Sequence, residues 1–186
     1  KQIGEVITGM NGIQKAAAMI AILVVEWSLV QKFSDDFLKT GDTTKLFFEW
    51  LATVAAAIGG YAFFGAEGAS IAFVVSSVVQ LESIKTTLAE GKVKATDASV
   101  WMQGISAAVT TGIAGAVFAK TVTGFSLGLS VGAVLALSAI TYGGTKGGSI
   151  KPGDSIDALL TALTAAAGGL AGVTLALAAG ASAPIA

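Results

Sequence analysis

Three stretches of this chain run for more than twenty residues without a charged side chain: Ala98–Ala119, Thr121–Thr145 and everything after Asp157. About 20 apolar residues suffice for a helix to cross the hydrocarbon of a bilayer. A helix apolar all round has to be covered on every side. The chain is therefore limited to helices that pack on each other, on lipid or on copies of the same protein. Lys120 alone separates the first two runs and reads as the loop between two helices. KGGSIKPGDSID (146–157), with Pro152, is a turn-rich link to the third.

The first half is less extreme. Met10–Phe33 is interrupted by Lys15, Glu26 and Lys32, and its longest uncharged run, Ala16–Val25, is too short to cross a bilayer. It suits an amphipathic or buried helix. FSDDFLKTGD follows as a polar connection, and Asp42 or Thr43 is the predicted N-cap of a second helix from about Thr44. Trp50–Ala66 is uncharged, with Gly59-Gly60 in its middle, and Glu67 between Gly65 and Gly68 marks a bend. A third run, Ala69–Leu81, continues to about Leu88. AEGKVKATDA (89–98) is the most polar segment and the candidate boundary between a moderately apolar 1–92 and a transmembrane-like 93–186.

Composition narrows the chemistry. Charged residues make up 12%, about half the usual quarter, and mean hydropathy is +0.78. All basic residues are lysines and the net charge is -1, so nucleic acid is at most a weak partner. Cysteine and histidine are both absent, which removes disulfides, thiol nucleophiles, imidazole bases and zinc sites built on them. No calcium-type loop of carboxylates is present. GGTKGGS (143–149) lacks the GK[ST] ending of a phosphate loop, and no spacing pairs a serine with Lys120 or Lys146. No cofactor or metal is expected, and the inventory points away from an enzyme.

Glu67, between two apolar runs, is the candidate buried carboxylate for an ion or proton, although its flanking glycines favour a tight turn facing water. Glu26 and Glu49, each beside a tryptophan (Trp27, Trp50), read as interface residues. No buried polar pathway stands out. The polar loops mix signs and mark no cytoplasmic side.

Two blocks repeat. MNGIQKAA at Met10 aligns with MQGISAAV at Met102, in a frame that sets Phe33 over Phe125. GDTTKLFFEWLATVAAAIGGYAFFGAEGAS from Gly41 aligns without gaps with the segment from Gly153, which shares its GD start and GAS end. The pattern predicts duplication of a two-helix unit whose faces cannot be buried alone. The second copy gains a segment centred on TGFSLGLSVG, where Gly124, Gly128 and Gly132 share one helical face. Gly104, Gly112, Gly168 and Gly172 extend the theme of small residues four apart. Such spacing lets backbones approach closely, which offsets the roughly 1 kcal/mol per glycine lost relative to alanine. These glycines are the predicted packing and assembly contacts, made within the chain or to a copy.

The apolar two-helix unit with its short GD-type turn resembles the hydrophobic coat proteins of archaeal spindle-shaped viruses, over Met10–Val30, Gly41–Ser70, Met102–Val122 and Gly153–Ser182. FSLGLSVGAVLALSAITYGG (125–144) is similar to the hydrophobic helices of conjugative pilins. Either resemblance implies a small helical subunit packed through apolar contacts, with no active site. The expectation is an all-α protein of five to six helices that self-assembles as a virion coat or filament subunit. Its partners would be copies of itself, with lipid in second place. The alternative is a multi-pass membrane channel or pore-forming protein.

Overall fold

A computed structural model describes residues 6–180, and every regular element among them is a helix. A short helical stretch at 6–8 precedes five long helices: α1 (Gly12–Thr40), α2 (Thr43–Ala89), α3 (Ala98–Ala119), α4 (Val122–Lys146) and α5 (Ser155–Ala178). The all-α class expected from the apolar runs is what the chain adopts.

α2 is not one rod. Gly65 has φ 64 and ψ -147, a region open essentially only to glycine. On either side of it, Gly60 and Gly68 stack so closely that a Cβ on either would fall inside 3.0 Å of the other's carbonyl. Thr53 and Ser76 then meet through their hydroxyls at 2.6 Å. The element is a tight hairpin with arms at 43–64 and 66–89, so the bend expected at Gly65–Gly68 is a full reversal.

α3 and α4 form the second hairpin. Lys120, in the left-handed region at φ 56, closes α3 by donating its N–H to Ala116, and the Thr121 side chain caps α4 at Gly124 N–H. The glycine ladder faces α3 of the same chain. A Cβ on Gly124 would strike the Gly115 carbonyl, one on Gly128 the Thr111 carbonyl, and one on Gly132 would lie 2.8 Å from Ala108 Cα. Gly112 lies under Phe125 and Gly104 faces Ile140, which completes the same seam. The predicted assembly glycines at these five positions are thus intramolecular contacts, because the tight turn brings the two small-residue faces together. Gly168 and Gly172, by contrast, meet nothing within 4 Å.

α1 runs antiparallel to the first arm of α2, with Ile22 over Gly59 and the rings of Phe33 and Phe48 at 5.5 Å. α5 lies along α4, tied by Ser126 and Thr174 at 3.3 Å, and buries only Leu160 and Thr174. Two turns, at Gly65 and Lys120, lie at one end of the bundle. The connections at 41–42, 90–97 and 147–154 all lie at the other.

The repeat has a mixed structural meaning. Asp42 and Asp154, the two GD aspartates, are both N-caps, accepting from Thr44 N–H at 3.0 Å and Asp157 N–H at 2.8 Å. Met10–Phe33 continues as one helix from Gly12, whereas Met102–Phe125 crosses the Lys120 turn, so equal sequence frames give unequal elements. The second GAS leaves the described residues after Gly180. The 92/93 boundary falls in the loop after α2. The core nevertheless crosses it: Leu38, Ile84 and Leu88 pack with Val100, Ile140 and Leu160.

Because Gly128 has backbone where a side chain would go, Gly128→Leu should separate α3 from α4 and cost on the order of 1–3 kcal/mol or more. Gly168→Leu, facing open space, should leave the bundle unchanged. Thermal unfolding of the two variants in detergent measures the difference.

A polar seam in the bundle interior

Polar side chains occupy the middle of this apolar bundle. They lie at helical spacing on three rods: Glu49 and Thr53 on the first arm of α2, Ser76, Gln80, Ser83 and Thr87 on the second, and Ser99, Gln103, Ser106 and Thr110 on α3. Residues three and four apart share one helix face, so each rod turns one polar stripe inward.

The stripes are joined by hydrogen bonds. Trp50 donates its indole N–H to Ser106 at 2.9 Å, and Ser106 donates to Gln80 Oε1 at 2.8 Å. The Gln80 amide in turn donates to Ser76 at 2.9 Å and Thr110 at 3.2 Å. One turn closer to the loop end, Gln103 Nε2 donates to Glu49 Oε1 at 2.6 Å and to Ser34 on α1 at 2.8 Å. Beyond that, Ser83 donates to Asp35, which is half-buried, and Ser99 donates to the Leu38 carbonyl. Toward the turn end the seam stops at Ser70, which donates to the Ala114 carbonyl. An apolar plug of Ala56, Ala57, Ala69, Ala72 and Phe73 closes it there. The seam is thus enclosed at both ends, since toward the loop end Leu38, Leu88, Val93, Ala95, Val100 and Ile150 pack over it as an apolar cluster.

Two carboxyl groups are buried. Glu49 is fully enclosed, and its Oε2 has no hydrogen-bond partner. Glu26 is 2% exposed at the midpoint of α1, with neither oxygen partnered. It borders a groove of about 380 Å³ lined by Ala52, Ala55 and Ala56 of the facing arm. A bare carboxylate in such surroundings is costly, so each group is stable when a proton or cation neutralises it. Among the described residues no lysine is buried, and no three acidic groups gather to hold a metal ion.

The loop end carries ordinary surface electrostatics. The Lys92 ammonium, 2.7 Å from Glu90, holds that carboxyl below its usual range through a hydrogen bond and its charge. Backbone N–H groups of Asp157 and Lys151 do the same for Asp154.

Glu67, the candidate buried carboxylate, is exposed just past the Gly65 turn, because the hairpin turns that position outward. Glu26 and Glu49, assigned to an interface by their tryptophans, are the buried pair instead. The Trp50 indole is satisfied inside the bundle by Ser106, so it does not mark a water boundary. The signal that could have found the seam is its period: S-x-x-x-Q-x-x-S-x-x-x-T from Ser76 and S-x-x-x-Q-x-x-S-x-x-x-T from Ser99 are the same stripe on two helices.

No family model matches the chain, and neither does any curated protein or solved structure.

Gln80 is the junction of the seam. Gln80→Leu should leave Ser106 and Thr110 short of partners and cost about 1–3 kcal/mol. That corresponds to a fall of roughly 2–4 °C in Tm per kcal/mol for a chain of this size, measured by thermal unfolding in detergent. Thr161→Val on the exposed face of α5 is the neutral comparison.

Proposed function

We propose that the protein is a multi-pass integral membrane protein whose buried seam holds a small cation at its enclosed carboxyl groups. The observation that carries this reading is the inversion of the bundle. Glu49, Gln80 and Gln103 are enclosed, while Ile20, Ile58, Ile71, Ile105, Leu135 and Leu170 stand exposed on successive rods around it. Lipid covers such a circumference without needing a matched surface.

Dimensions support it. The two arms of α2 and helices α3, α4 and α5 are each about 33–37 Å long at 1.5 Å per residue, against a hydrocarbon core of about 30 Å. All five long helices are apolar enough to span. Six exposed aromatics sit toward the ends, with Phe47, Phe48 and Tyr142 at the loop end and Tyr61, Phe64 and Phe118 at the turn end, as in interfacial belts, while exposed Trp27 lies at the middle of α1.

Orientation follows from the lysines. Lys32, Lys39, Lys45, Lys85, Lys92, Lys94, Lys146 and Lys151 all belong to the loop end, whereas Lys15 and Lys120 are the described lysines of the turn end. Orientation follows lysine and arginine counts rather than net charge, so the mixed signs of the loops do not blur it. On this reading the loop end faces the cytoplasm.

A self-assembling subunit is the second reading. It draws on α5, which buries little against its own chain and leaves Gly168, Gly169 and Gly172 open beside exposed Leu170. This face would suit a second copy. A virion coat or filament remains the form this reading takes.

The native chain has no cysteine, so single thiols can report topology. In intact cells an impermeant maleimide should label Lys120→Cys and spare Lys94→Cys, with both labelled after permeabilisation. The protein should also stay with the membrane on alkaline carbonate extraction. Release as lipid-free particles or filaments would replace the membrane reading with the assembly one.

A further inference from the structure

Glu49 and Gln103 each have one oxygen with no partner, Glu49 Oε2 and Gln103 Oε1, and both residues are fully enclosed. The amide nitrogen of Gln103 is already committed, to Glu49 Oε1 and to Ser34 Oγ. It has no further N–H to give. What the pair lacks is a single donor. A carboxyl and an amide joined by one N–H···O bond close a ring with a second bond when the acid carries a proton. That one proton gives both orphaned oxygens a partner at once.

We propose that Glu49 and Gln103 form a two-bond acid–amide pair that binds one exchangeable proton on Glu49 Oε2. The proposal deepens the membrane reading by naming its cation, and rests on that reading only for the role of the site in a bilayer. In loading, a hydronium ion gives up its proton, an O–H bond forms at Oε2, and that bond points to Gln103 Oε1. In release, the O–H bond breaks and the proton returns to water. A carboxylate then faces the amide.

The surroundings suit a proton. α1 presents Ser34 and, one residue on, the half-buried Asp35, which is occupied by Ser83. The second arm of α2 presents Gln80 and Ser83, and α3 presents Ser106, all neutral. On its own arm the nearest charge is Lys45, one turn toward the loop end and half-buried. Glu26, deeper along α1, faces Ala52, Ala55 and Ala56 of the first arm of α2 rather than an amide.

Infrared difference spectroscopy on the full chain in detergent micelles tests the pair. The expected spectrum contains the carbonyl stretch of a protonated carboxylic acid. It should be lost in Glu49→Gln, which keeps the shape of the side chain, and retained in Glu26→Gln. It should shift on transfer to D₂O, and move to higher frequency in Gln103→Leu, which removes the N–H donor from the acid carbonyl. An unchanged spectrum in Glu49→Gln overturns the proposal, as does a band that ignores D₂O or Gln103→Leu. Saturable loss of the band with added Na⁺ at constant pH would replace the proton with a metal ion as the ligand. The measurement is made in micelles, so it stands apart from the carbonate extraction, whose failure would remove only the membrane reading.

Discussion

Backbone-to-backbone contact at glycine is the constraint on which the rest of this bundle depends. Gly60 against Gly68, and Gly115 against Gly124, let two pairs of rods lie side by side from their first turn. Where helices touch this closely, the connection between them can shrink to one or two residues with one in the left-handed half of the map: Gly65 in one hairpin, Lys120 followed by Thr121 in the other. The polar connections at 41–42, 90–97 and 147–154 then have no choice of side. Alternating rods put all of them at the opposite end, which concentrates the lysines there and gives the molecule a polarity that its scattered charges do not suggest.

That polarity also organises the interior. At the turn end the rods approach through small residues, and the space between them is filled with Ala56, Ala57, Ala69, Ala72 and Phe73. Ser70, bonded to the Ala114 carbonyl, is the last polar side chain of the seam there. Toward the loop end the residues grow larger, and Glu49, Gln80 and Gln103 fill the gap with a hydrogen-bonded chain. Buried polar groups of this kind are stabilising only when satisfied. The atoms left over, on Glu26, Glu49 and Gln103, therefore carry more information than the many that are paired. They show where the bundle lacks a donor.

The two glycine stripes have different fates for a geometric reason. Gly124, Gly128 and Gly132 lie within reach of their own partner helix because the Lys120 turn returns the chain at once. Gly168 and Gly172 sit on α5, which follows a longer connection and packs on one side of α4 only. Identical spacing thus makes an internal seam in one helix and an open face in the other.

Sequence alone determined the class of object. Uncharged runs longer than a bilayer crossing, the absence of cysteine and histidine, the GD caps at Asp42 and Asp154, and the breaks at Gly65 and Lys120 all follow from local chemistry. FSDDFLKT (33–40), expected as a polar connection, instead continues α1, because its Ser34, Phe37 and Leu38 are buried against the bundle. The buried site was written there too, as two S-x-x-x-Q-x-x-S-x-x-x-T stripes, but a polar stripe reads equally as a solvated face until its neighbours are known. Tertiary structure decided that question. Burial is a property of what surrounds a helix, so only the folding of the two hairpins against α1 could turn those stripes inward, enclose Glu26 and Glu49, and leave Glu67 outside.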